Sequence, residues 1–203
     1  MTTKHQTDLT GRRLDVRNRL LRAAEALLAE FGFVGTSPAD VAAEARIGRT
    51  TFYEYFTDME DLLAALVEDR LPRVAGSLLD DLPKDAGPRQ RLAELAIRMV
   101  EFAATDHVLG LELHQGLPLL STTTQQRVRA AHRSLSEEFG RVYRAGVDTG
   151  AFRAMRPELA GVFVNDLVMA AAKTLMREDE PKAHLHEVAD ELVAFLLHGL
   201  DPV

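Results

Sequence analysis

The chain has no cysteine and no tryptophan among its 203 residues. Without thiols there is neither a disulfide framework nor a thiolate metal site. No stretch approaches the roughly 18 uninterrupted apolar residues that a membrane span needs. The polar start MTTKHQTDLTGRR lacks the apolar segment of a secretory signal, so a cytoplasmic protein with no membrane partner is expected. Val, Ile and Thr do not alternate over any long run, which leaves little strand signal. HExxH, GxSxG, a P-loop and a dinucleotide glycine fingerprint are all absent, and no cofactor is expected. Positive charge is also in deficit, with a formal net charge of −7.

What is present supports a folded, soluble chain. The hydrophobic fraction of 46% is enough for a core, and 27% charged residues give a solvated surface. The length suits one large or two small domains. The negative charge is unevenly spread. Residues 1–22 carry six basic side chains against two acidic ones, and residues 1–57 carry eight against seven. A weakly basic head on an acidic body orients toward phosphate and discourages contact elsewhere.

Periodicity predicts helices throughout. Residues 1 to about 13 read as a flexible arm. A first helix follows from near Asp15 to Phe31, with Leu20, Ala24, Leu27, Leu28 and Phe31 at helical spacing. Gly32 suits the position just past its end. Thr36 or Ser37 caps a second helix with Pro38 in its first turn, and a third runs from near Gly48 to Phe56. Asp58 caps a fourth, which Pro72 is expected to kink or end. Further helices are expected at about 88–104, 106–116, 121–148, 157–178 and 183–199. The architecture is all-α, with about nine helices: an N-terminal three-helix head over residues 1–57, then a helical domain over residues 58–203.

The most informative run is Arg19 to Leu63. It reads as three short helices ending in a helix-turn-helix, which places a helix N-terminus in the DNA major groove. Val41, Ala42, Ala45, Ile47, Phe52 and Tyr55 form its apolar side, and Arg49, Thr50, Tyr53 and Glu54 face outward. The Thr36–Ser37 start is a natural phosphate clamp. Arg49 can bond guanine O6 and N7 together, and Thr50 can meet a thymine methyl or a phosphate. Tyr53 and Tyr55 carry hydroxyls suited to backbone contact. Arg12, Arg13 and Arg17 suit phosphate or minor-groove contact.

The segments AAEALLAEFGFVGTS, DVAAEA and TFYEYF, followed by an acidic helix start, resemble the DNA-binding domain of the TetR family of transcriptional regulators. They stand in that family's order and spacing. The resemblance implies a phosphate contact from Tyr53 and a DNA contact from Thr51. Three positions depart from the family's pattern. Arg46 stands in the turn where glycine is common, at a cost of roughly 1–2 kcal/mol if left-handed, and adds a cation near the DNA backbone. Gly48 replaces a serine-like cap, and Met59 stands where a lysine usually reaches phosphate.

The body is expected to dimerise and to hold a ligand. Helices 157–178 and 183–199 carry more apolar residues than one flank needs, and the resemblance implies a four-helix dimer interface built from them. A small-molecule inducer would sit among Phe102, Leu109, Leu113, Phe139, Tyr143, Phe163 and Met169, with His107, Glu112, His114 and Asp166 as polar groups. The expected protein is not an enzyme but a ligand-responsive regulator, a repressor that binds a palindromic double-stranded operator as a homodimer. Two alternatives remain at this stage. One is a helical ligand-binding protein with a degenerate head. The other is a metal-dependent enzyme using His107 and His114, or His184, His186 and Asp190.

Overall fold

The computed structural model describes residues 2–106 and 108–202, with side chains described except at residues 2–12, 111, 112, 114, 115 and 157. Among the described residues there are ten α-helices and no strand. They are α1 (Thr2–Phe31), α2 (Pro38–Glu44), α3 (Arg49–Tyr53), α4 (Met59–Asp80), α5 (Pro88–Thr105), α6 (Leu113–Gly116), α7 (Thr122–Ala131), α8 (Arg133–Asp148), α9 (Pro157–Leu175) and α10 (Pro181–Gly199).

Four expectations are corrected. Residues 2–13, expected as part of a flexible arm, are helical, because α1 begins at Thr2. Gly11 costs about 1 kcal/mol in a helix interior, too little to stop one already anchored by buried turns. Pro72, expected to kink or end α4, lies inside it, so the helix does not end there. Leu62, Leu66, Val67, Leu71 and Ala75 are buried on both sides of it and outweigh the roughly 3 kcal/mol that an interior proline costs. The expected helix 121–148 divides at His132 into α7 and α8. The helix expected at 106–116 is broken by non-helical Gly110 (φ −84°, ψ −115°) inside the π-type turn Val108–Glu112. A Cβ there would stand 2.4 Å from the Ala103 carbonyl oxygen, so only glycine lets the chain fold this closely onto α5.

The chain forms two compact units. One comprises the chain up to Asp69 together with Gly116–Val128, and the other comprises Arg70–Gln115 with the chain from Arg129 onward. The second unit is built around α5, which packs against α8, α9 and α10. Leu92, Leu95, Ala96, Val100 and Ala103 recur at helical spacing and are buried. Phe139, Tyr143 and Phe152 stack beside them, with ring centroids 6.5 and 6.3 Å apart. Gly150, at φ +71°, turns the chain back after α8 and delivers the Phe152 ring onto Gly146.

The first unit joins α7 to the start of α4 through a set of polar bonds. Glu60 accepts from the Ser121 N–H (2.9 Å) and the Thr124 hydroxyl (3.0 Å). Arg127 donates to both oxygens of Glu68 (2.8 and 2.7 Å) and to Asp61 (2.6 Å). Bonds from Ser121 hold the Glu60 carboxyl below the usual carboxylate range. Partial burial alone would raise Asp61, but the Thr57 amide and Arg127 outweigh it and lower it. Arg127 likewise lowers Glu68.

Two outcomes are expected. Alanine at Gly146 gains about 1 kcal/mol of helix propensity, but its Cβ would lie 1.9 Å from the Phe152 ring. The whole ring would have to leave its seat, so Gly146→Ala should lose about 2 kcal/mol net; thermal unfolding at or above the parent's temperature would contradict that seat. The three carboxylates have folded pKa values below their unfolded ones, so their stabilisation is complete above about pH 4.5 and is lost as pH falls through the folded values. Urea midpoints should change little from these groups between about pH 7 and 5 and fall below about pH 4. The fall should be shallower in Arg127→Met, and an identical acid loss in both proteins would show that Arg127 is uncoupled from these groups.

Candidate nucleic-acid interface

The five-residue helix α3 is positioned by what lies beneath it. Phe52 is fully buried, and Val41, Ala42, Ala45 and Phe56 are buried with it. The Phe52 and Phe56 rings lie 5.9 Å apart, and Tyr53 meets Phe52 edge-on at 5.3 Å. Arg49, Thr50, Tyr53 and Glu54 are exposed, while Thr51, Tyr55 and Ile47 are half-buried. Gly48 takes an extended N-cap conformation with no side-chain bond. The outer edge of α3 therefore presents a guanidinium, a hydroxyl and a phenol on a rigid apolar base.

The turn between α2 and α3 is left-handed at Arg46 (φ 54°), the only such non-glycine residue among those described. The Arg19 guanidinium, reaching from α1, donates to the carbonyls of Ala45 and, at 3.1 Å, of Arg46. It holds the end of α2 and the strained turn together. Arg19 counts in the sequence as one of the basic residues of the head, but here its charge serves the fold. Arg46 itself points an exposed side chain outward.

At the start of α2 the two hydroxyls separate into different roles. Thr36 is buried, and its hydroxyl donates to the carbonyls of Gly32 (2.8 Å) and Leu27 (3.4 Å), tying α2 to the end of α1. This corrects its reading as a surface phosphate contact. Ser37 is the N-cap, in a reciprocal capping box with Asp40. Its N–H and hydroxyl both donate to the Asp40 carboxylate (3.0 and 2.6 Å). The Ser37 hydroxyl, then its amide, hold the Asp40 carboxyl below the usual range. A carboxylate of the chain itself thus occupies the place that the sequence reading assigned to phosphate.

Of the α1 arginines, Arg13 lies over the Tyr55 ring (5.9 Å) and Arg17 over Phe56 (6.0 Å). Both cations are thereby brought beside the residues that follow α3. The side chain of Arg12 lies outside those described. Met59 is half-buried at the first position of α4.

In the second unit the described candidate ligand residues differ in burial. Leu109, Leu113, Phe139 and Tyr143 are buried, and Phe102 and Met169 are half-buried. The Tyr143 hydroxyl accepts from the Met155 amide (2.8 Å) and donates to the Arg153 carbonyl (3.1 Å), so its polar tip is satisfied by backbone. Phe163 and Asp166 are exposed on α9 and border a cleft of about 490 Å³, with Leu167, Phe195 and Leu196 among its other walls. Leu159, Val162, Phe163 and Phe195 leave large apolar surface on α9 and α10. His107 lies outside the described residues, as do the side chains of Glu112 and His114. The described side chains contain no group of three His, Asp or Glu able to hold a metal ion. The helix that would align His107 with His114 is interrupted at Gly110. No described helix is long and apolar enough to cross a membrane.

Residues 20–66 match the model of the bacterial regulatory proteins of the tetR family, and residues 85–200 match that of the tetracyclin repressor-like C-terminal domain. A fatty acid metabolism regulator protein of Bacillus subtilis is 19% identical over 90% of this chain and 94% of its own length. The transcriptional regulator FadR of Bacillus subtilis, solved in complex with stearoyl-CoA, superimposes with a TM-score of 0.72, covering 87% of this chain and 97% of that one at 19% identity. AibR, solved in complex with isovaleryl coenzyme A and operator DNA, gives 0.69, covering 90% and 98% at 18% identity. At such identities the structural likeness speaks for the fold.

The left-handed turn generates a prediction. Arg46→Gly removes a backbone cost of about 1–2 kcal/mol but adds unfolded-state entropy of about 1 kcal/mol. Stability should therefore stay within about 1 kcal/mol of the parent. Arg19→Ala should lower it by about 1–2 kcal/mol, because two carbonyls lose a charged donor. Urea unfolding checks both, and an Arg19→Ala protein as stable as the parent would deny the clamp.

Proposed function

This chain belongs to the tetR family of bacterial regulatory proteins, and on that premise we propose that it is a repressor that binds a palindromic operator as a homodimer and is released by a small molecule. The observation that carries the DNA-reading half is the exposed edge of Arg49, Thr50 and Tyr53 on a helix whose other side is anchored by fully buried Phe52. Residues 1–57 supply the reading head in this proposal, and residues 58–203 supply ligand binding and dimerisation. Arg49 reads a base edge, and Tyr53, Thr51, Tyr55 and the α1 arginines Arg12, Arg13 and Arg17 meet the DNA backbone. Arg46, exposed in the turn before α3, and Ser37, at the start of α2, are further candidate backbone contacts in this proposal.

A single head makes few base contacts, so specificity calls for two heads on successive half-sites. The large apolar side chains left open on α9 and α10 are the surface a second copy would cover. Ligand response is supported by the two similar proteins solved with coenzyme A thioesters. Acyl-CoAs are accordingly the first ligand class to test here, with the apolar residues of α5, α8 and α9 as the candidate lining. Repression acts by occupancy of the operator in the cytoplasm, and the chemistry is recognition rather than catalysis.

Selection of bound duplexes from a random pool tests this reading. An enriched palindrome with half-sites about one helical turn apart is expected. Arg49→Ala should relax base preference at one operator position, at a cost of about 1–3 kcal/mol. Tyr53→Phe should weaken binding evenly across sequences. If both variants bind every duplex like the parent, α3 is not the reading helix.

A further inference from the structure

We infer that Arg127, on α7 and far downstream of the helix-turn-helix in sequence, is a positioning residue for DNA reading. This rests on the DNA-binding function proposed above. The compact unit that contains α1–α3 also contains Gly116–Val128, so a segment from the second half of the chain packs in the same unit as the reading head.

The route from Arg127 to α3 is short and continuous. Nε and Nη2 of Arg127 grip the two oxygens of Glu68 at 2.8 and 2.7 Å, which fixes the plane of the guanidinium. That plane aims Nη1 at Oδ1 of Asp61, at 2.6 Å. The other oxygen of Asp61 accepts from the Thr57 N–H at 3.0 Å and from the Thr57 hydroxyl at 3.4 Å. Thr57 directly follows Phe56, whose amide donates to the Phe52 carbonyl at 3.0 Å and whose ring packs on Phe52. Arg127 thus orients the carboxylate that secures the exit of the recognition helix.

Two features distinguish this from an ordinary surface ion pair. All three guanidinium nitrogens are engaged, and the side chain is only 32% exposed. Glu60, one residue before Asp61, is held separately by Ser121 and Thr124. The first turns of α4 are therefore gripped at three carboxylates by one segment. A lysine at position 127 would keep the charge and lose the fork that links Glu68 to Asp61. Recognition geometry tolerates about half an ångström of looseness, so a freed Asp61 matters at the base edges even though it touches none.

The test uses the full-length chain, the selected palindrome, and the variants Arg127→Met and Arg127→Lys. Arg127→Met should bind about tenfold more weakly, and Arg127→Lys about threefold. The slope of log affinity against log salt should match the parent, because no phosphate contact is removed. Affinity within about twofold of the parent in Arg127→Met would overturn the inference. So would a slope reduced by about one, which would make Arg127 a phosphate contact itself. Amide exchange over residues 52–57 should also accelerate in both variants without DNA. Unchanged protection there sinks the positioning role whatever the DNA result. A parent that enriches no duplex counts instead against the DNA-binding reading.

Discussion

Phe52 is fully buried, and the helix that carries it is five residues long. A helix that short is far below the roughly 12–15 residues at which one becomes even marginal in water. Its conformation is therefore owed to tertiary burial rather than to propensity. Val41, Ala42 and Ala45 of α2 and the turn after it are buried as well, α2 packs on α3, and the Phe56 ring lies against that of Phe52. The exposed edge of Arg49, Thr50 and Tyr53 is rigid only because this apolar base is. Every other feature of the head serves that requirement: Thr36 fastens α2 to α1, the Ser37–Asp40 box starts α2, and Arg19 closes the left-handed turn at Arg46.

Charge is used in two distinct ways. The chain is acidic as a whole, yet much of its arginine is spent internally. Arg19 bonds backbone carbonyls, and Arg127 bridges two carboxylates. Arg70 pairs with Asp106 at 2.6 Å, and Arg91 with buried Glu138 at 2.6 Å. These pairs fix geometry more than they add stability, since desolvation offsets much of their attraction. Among the described side chains of the head, Arg13, Arg22, Arg46 and Arg49 are exposed. The net negative charge of the whole chain limits indiscriminate adhesion to nucleic acid.

In the second unit the same side chains that look suited to a ligand are largely committed to packing. Tyr143 stacks between Phe139 and Phe152, and its hydroxyl is satisfied by the backbone at Arg153 and Met155. The apolar surface that does remain open lies on α9 and α10, around Phe163 and Phe195. The family relationship makes this unit, with that open apolar surface on α9 and α10, part of a regulator.

Helix content and the helix-turn-helix were legible in the sequence because both depend on local signals. The 3.6-residue spacing of apolar positions, the Gly32 stop, the Ser37-Pro38 start and the small residues Ala42 and Ala45 act within one or two turns. The left-handed turn at Arg46 was legible through the family resemblance, in which glycine is common at that position. Tertiary structure alone decided the rest. Pro72 stays inside α4 because burial on both sides outweighs its local cost, and the helix expected through Gly110 breaks because the backbone must approach Ala103. Thr36 and Ser37 are adjacent and chemically alike, and only their surroundings send one hydroxyl inward and the other to a cap. Nothing in the sequence near Asp61 announces Arg127. That contact joins residues far apart in the chain, and no periodicity or spacing rule reaches across such a separation.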